Sequence, residues 1–167
     1  NLVFSENVVE KALSALKRGA SIVTDTQMAK AGINKKKLAQ YGGQVYCFMS
    51  DEDVAEAARK GETTRAAASM DKAAGLYRDH ADSLGGPHGQ NDRQGLIFAV
   101  GNAPTALVRL YELVREGKLD PELIIGVPVG FVNVVQSKEM ILSLKDTPYI
   151  VARGRKGGSN IAACICN

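Results

Sequence analysis

Five short apolar runs, separated by turn residues and by stretches with helical period, decide what this chain can fold into. The runs are residues 20–24, 44–49, 96–101, 123–127 and 148–152. They are mostly apolar and rich in Ile and Val, without the polar alternation of a half-covered strand, so each reads as a strand buried on both faces. Between them, apolar residues recur at helical spacing over 6–18, 51–60, 65–77, 104–116 and 132–144. Shorter helical pieces fall at 26–31 and 34–40, and Gly157-Gly158-Ser159 opens a last helix. Ser5 reads as the N-cap of the first helix, Thr63 or Thr64 as the cap of the helix over 65–77, and Pro104 as an N1 proline. Strands alternating with helices predict a mostly parallel five-stranded sheet with helices on both faces, a three-layer, doubly wound, Rossmann-like α/β fold. Residues 78–94 are polar and without period, and contain Gly85-Gly86-Pro87. They are expected to form a mobile surface loop.

At 167 residues, one α/β domain is expected over 1–167. The net charge of +3 is spread along the chain, with one dense basic run at Lys35-Lys36-Lys37. Aromatics are 5% and Trp is absent, which argues against a nucleic-acid partner that would need clustered cations and stacking rings. No apolar run approaches the ~18–20 residues of a membrane span. Three cysteines and no secretory pattern point to reduced thiols in the cytoplasm. Cys164 and Cys166 have no further ligand nearby in sequence, so no metal site is expected. The chain opens on Asn1-Leu2-Val3-Phe4 without an initiating methionine, and an N-terminal segment is expected to precede it.

In a doubly wound sheet the ligand binds at the carboxyl ends of the strands. Those ends carry Asp25-Thr26, Gly101-Asn102-Ala103-Pro104-Thr105, Gly126-Val127-Pro128-Val129-Gly130 and Arg153-Gly154-Arg155-Lys156-Gly157-Gly158-Ser159. Glycines let backbone approach a ligand, helix N-termini offer free N–H groups, and the last loop adds three cations. Together they describe a crevice for a ligand with several carboxylates or phosphates. Tight turns and a solvated basic run would account for the same residues without a ligand. Neither G-x-G-x-x-G nor G-x-x-x-x-G-K-[ST] is present, which argues against dinucleotides and P-loop chemistry. His80 and His88 lie in the polar segment and read as ordinary exposed imidazoles.

Several of these segments also occur, in this order, in a known family. They are Ile22-Val23-Thr24-Asp25-Thr26-Gln27-Met28-Ala29 with Gly32-Ile33, Thr64-Arg65-Ala66-Ala67, Gly101-Asn102-Ala103-Pro104-Thr105-Ala106-Leu107, Ile125-Gly126-Val127-Pro128-Val129-Gly130-Phe131-Val132 with Ser137-Lys138-Glu139, and Gly154-Arg155-Lys156-Gly157-Gly158-Ser159. The chain resembles the precorrin-8X methylmutases, also called cobalt-precorrin-8 methylmutases, of cobalamin biosynthesis. The resemblance covers nearly all of it except 78–94.

The resemblance implies an isomerase that moves a methyl group from C11 to C12 of a corrin ring, without a cofactor, as a homodimer. The substrate class it implies is a polycarboxylate macrocycle. It implies that the family's acid histidine lies in an Arg-x-x-His segment upstream of Asn1, outside this chain. By the same resemblance Arg65 matches an active-site arginine. Asp25, Asn102, Thr105, Ser137, Lys138, Arg155 and Ser159 are assigned to binding the ring carboxylates. A corrinoid-binding protein without catalysis, and an α/β domain for another polyanion, are the alternatives.

Overall fold

The apolar runs pair into one six-stranded sheet in the order β1-β6-β5-β4-β2-β3. The structure, a computed structural model, describes residues 1–83 and 95–167. In chain order the elements are β1 (Leu2–Phe4), α1 (Val8–Lys17), β2 (Ser21–Thr24), α2 (Gln27–Gly32), α3 (Lys35–Ala39), β3 (Val45–Tyr46) and α4 (Glu52–Lys60). They continue with α5 (Arg65–Ser83), β4 (Leu96–Val100), α6 (Pro104–Arg115), β5 (Leu123–Gly126), α7 (Val134–Leu142), β6 (Tyr149–Ala152) and α8 (Ser159–Cys166).

β2 to β6 run parallel, as expected of strands with buried runs, while β1 pairs antiparallel with β6 at one edge. Successive side chains of a strand point to opposite faces. Phe98, Val100 and Ile124 therefore join one core with α4, α5, α6 and α7. Ile97, Ala99 and Ile125 join a second core with α1, α3 and α8. Burying a large aliphatic or aromatic side chain contributes roughly 1.5–3 kcal/mol, so these two layers dominate the stability of the fold.

Three expectations are corrected. The sheet has six strands, not five, because a three-residue edge strand at Leu2–Phe4 is too short to show a period. Ser5 does not cap α1. Its hydroxyl instead accepts the Tyr149 N–H at 2.9 Å and its own N–H reaches the Tyr149 carbonyl, extending the β1–β6 pairing, and the cap position falls to Asn7. The segment 44–49 pairs with β2 only at Val45 and Tyr46, after which Phe48 turns into the core beneath α4.

The expected loop at 78–94 also begins later, because α5 runs to Ser83. A helix already nucleated extends at little cost, and no Gly or Pro interrupts 76–84. The remainder of that segment, with His88, lies outside the described residues.

The order of strands also creates a switch point. After β2 the chain moves outward to β3, then crosses back through α4 and α5 to β4 on the other side. The crevice outside the carboxyl ends of β2 and β4 is where such sheets take their ligands. The residues there are Asp25-Thr26 and 101–105.

Candidate functional site

The loops after β2, β4, β5 and β6 meet at this end of the sheet through a chain of close contacts. Thr26 and Ser159 hydroxyls are 2.8 Å apart. Gly101 lies so close to Ser159 that a Cβ would come within 2.6 Å of its Cα. The Gly158 N–H donates to the Val127 carbonyl at 2.8 Å, and the Gly130 N–H to the Arg155 carbonyl at 3.2 Å. On the other flank, the Thr64 hydroxyl caps α5 by accepting the Ala67 N–H and donates to Thr105 at 2.9 Å. The start of α5 is thereby attached to the first turn of α6. Thr64 was legible as a cap but not as this link, because the partner is 41 residues away.

Five of the residues assigned to the ligand are at least partly exposed. Arg65 is the first residue of α5 and is exposed; no described residue pairs with its guanidinium. It lines an open recess of about 490 Å³ between α4 and α5, beside Arg59. Asn102 is exposed. Thr105 and Ser159 each accept a hydroxyl hydrogen bond from a neighbour, which leaves their own O–H to donate outward. Arg155 is exposed and sits over the Phe131 ring, 5.3 Å from its centroid. Phe131 and Val132, 78% and 79% exposed, form an apolar ledge beside it that the polar motifs did not point to.

Three assigned residues are buried and bonded to backbone. Asp25 is 1% exposed, and its carboxylate accepts the N–H groups of Gly101 (2.9 Å), Asn102 (2.8 Å) and Ala103 (2.7 Å). Burial pushes its carboxyl above the usual carboxylate range, against the downward pull of those bonds. Ser137 is fully buried and donates to the Val134 carbonyl within its own helix. Lys138 is also fully buried, and its ammonium donates to the carbonyls of Gly154 (2.6 Å) and Lys156 (3.0 Å). All three hold backbone rather than face the crevice. The cation count falls too, since Arg153 is paired with Glu139 at 3.0 Å, leaving Arg155 and Lys156 in that loop.

Burial holds the Lys138 amine below its ordinary value of 10.5. The folded protein therefore releases this proton at lower pH than the unfolded chain does. In the window between the lowered value and 10.5 the unfolded state binds more protons, and stability rises with pH. Lys138→Met should remove that rise, read as the difference between variant and wild-type urea midpoints from neutral pH to 10.5. At neutral pH it should also cost about 1–3 kcal/mol, because two loop carbonyls lose their donor. A variant whose midpoint follows the wild type across this range would show that the ammonium holds nothing.

A larger cavity, about 570 Å³, opens elsewhere, against the sheet face beneath α1, α3 and α8. Its walls are largely apolar, including Leu13, Ile97, Leu123 and Ile165, and it does not suit a polyanion. Cys166 lies in that wall with its thiol pushed up to about 12 by burial. Among the described residues no three His, Cys, Asp or Glu side chains gather as a metal site, and no helix is long and apolar enough to cross a membrane.

The architecture is that of a doubly wound α/β domain whose loops after β2, β4, β5 and β6 gather at the carboxyl ends of the strands. The sequence profile of the precorrin-8X methylmutases matches residues 1–167, and the chain belongs to that family. It is 43% identical to the cobalt-precorrin-8 methylmutase of Leptospira interrogans over 94% of this chain and 67% of that protein. It is 38% identical to the same-named protein of Priestia megaterium, over 100% and 67%. The solved precorrin-8X methylmutase of Thermus thermophilus superposes with a TM-score of 0.76 at 34% identity, covering 99% of this chain and 72% of that one.

Proposed function

We propose that this chain carries out the rearrangement its family is named for, moving a methyl group from C11 to C12 of precorrin-8X or its cobalt analogue. The product would be hydrogenobyrinate or cobyrinate. The observation that supports this reading is the grouping at this end of the sheet: Arg65 at the start of α5, tied through Thr64 to Thr105, and Arg155 on the loop after β6, with outward-donating hydroxyls and an exposed apolar ledge. A corrin offers a broad ring with carboxylates around its edge. Cations and hydroxyls suit the carboxylates, and Phe131 and Val132 suit the ring.

The chemical step needs a proton on the conjugated ring, which makes methyl migration favourable. General acid help of this kind contributes typically 10²–10⁴-fold. The residues named here bind and orient the macrocycle. We read the working form as a cytoplasmic homodimer. Exposed Leu2, Phe4, Val9 and Leu13 along β1 and α1 are apolar surface of the kind a second copy would cover.

Spectroscopic titration with hydrogenobyrinate should give a saturable shift of the corrin absorption in the micromolar range. Added salt should weaken the binding, since carboxylate–arginine contacts near a surface are screened. Absence of saturation would overturn the corrinoid reading and leave another polyanion as the ligand. Turnover of precorrin-8X by the full-length protein then separates an enzyme from a corrinoid-binding protein without catalysis.

A further inference from the structure

The switch-point crevice of a doubly wound sheet ordinarily presents backbone N–H groups to an anion from outside. Here the three N–H groups that lead into α6 are already taken by the chain's own carboxylate, Asp25, arriving from the end of β2. The bonds span 76 to 78 residues of sequence, so the contact is made by the fold and not by a local turn. The same segment carries Asn102 and Thr105, and packs at Gly101 against Ser159. No buried side-chain polar atom in this region is left without a partner among the described residues.

We propose that Asp25 is a positioning residue, an internal anion that seats the 101–103 backbone and thereby sets where Asn102, Thr105 and Ser159 stand. One consequence is that an anionic ligand cannot use the N–H groups before α6. Its carboxylates are left to the side chains around the crevice and to the loop after β6. A second is that the loop's order depends on a charge that never touches the ligand. The reading of the ligand as a corrinoid supplies one arm of the test, and the seating of the loop supplies another that needs no ligand.

Asp25→Ala keeps the Cβ and leaves a space the size of a carboxylate, lined by three N–H donors. In the full-length protein, hydrogen exchange should show the amides of Gly101, Asn102 and Ala103 losing protection while strands β4 and β5 keep theirs. Affinity for hydrogenobyrinate should fall roughly tenfold or more, the scale of a lost hydrogen bond to a charged group. Added formate should enter the space and restore both the protection and the affinity. Sodium chloride at equal ionic strength should restore neither. Asp25→Asn, which keeps the volume but replaces one acceptor oxygen by a donor, should fall between wild type and Asp25→Ala in both measurements and should not respond to formate.

Unchanged protection of the three amides in either variant would overturn the proposal. So would a loss of protection spread across the whole sheet in Asp25→Asn, which would make the carboxylate a general prop of the fold. If wild-type protein does not bind hydrogenobyrinate, the corrinoid reading fails, while the exchange and formate measurements still decide the role of Asp25.

Discussion

Gly157→Ala is expected to displace the loop after β6 and to weaken ligand binding more than any other single methyl group added to this site. A Cβ at position 157 would lie 1.9 Å from the Val127 carbonyl oxygen and 2.8 Å from that of Pro128. Both obstacles are backbone, so no side chain can swing aside. The loop must move, and the neighbouring bond from the Gly158 N–H to the Val127 carbonyl moves with it. Overpacking of this kind costs typically about 1–3 kcal/mol, and the disturbed bond adds about 1. Arg155 and Ser159 ride on the same loop, and a misplacement of about 1 Å at a binding group can cost 10²-fold.

Gly75→Ala is the contrast. Position 75 lies inside α5 with nothing within 4 Å of an added Cβ, so the same substitution should stabilise by about 0.5–1 kcal/mol and leave binding alone. Urea midpoints and product titrations of the two variants check both signs. A Gly157→Ala protein with wild-type midpoint and affinity would show that the two loops can separate freely.

The strands that build the site were legible because burial on both faces leaves a plain signature. Residues 96–100 and 123–126 are buried at every position and read as continuous apolar runs. Their loops followed from the same reading, since a parallel sheet places its functional turns at one end. The edge strands were less legible for a matching reason. β1 buries little and is held by three pairs, so neither length nor period marks it, while β3 showed as part of the run 44–49 but keeps only two paired residues of it.

Individual roles were harder still. Asp25, Ser137 and Lys138 stand in motifs that resemble ligand-binding sequence, and each is polar. Whether a polar side chain turns to a ligand or to its own backbone is decided by tertiary contacts 16 to 78 residues away for Lys138 and Asp25. A sequence pattern cannot separate a residue that grips the ligand from one that grips the loop. Gly157 shows the converse. A glycine at a strand–helix turn is ordinary, and only the nearness of the Val127 carbonyl makes this one irreplaceable.

Arg65→Gln and Arg65→Lys should both lose affinity for the product, while neither lowers stability. Arg65 is the first residue of α5, capped by Thr64, where the helix dipole is positive. A cation there is unfavourable by about 0.3–1 kcal/mol, and no described residue offsets it with an ion pair. The position is thus one where folding alone would favour a neutral or acidic residue. Arg65→Gln should accordingly melt at or slightly above the wild-type temperature. In the complex the guanidinium can hold a carboxylate by two parallel bonds, a geometry that neither Gln nor Lys reproduces. Breaking a desolvated charge pair costs roughly 2–5 kcal/mol, so binding should weaken by about 10²-fold or more. Arg65→Lys keeps the charge and loses only the fork. It should therefore retain more of the salt dependence of binding than Arg65→Gln does, at an affinity still well below wild type. Thermal melts and hydrogenobyrinate titrations at two salt concentrations measure all of this on the same samples. Wild-type affinity in Arg65→Lys would show that charge alone suffices at this position. A lowered melting temperature in Arg65→Gln would show that the arginine serves the helix rather than the ligand.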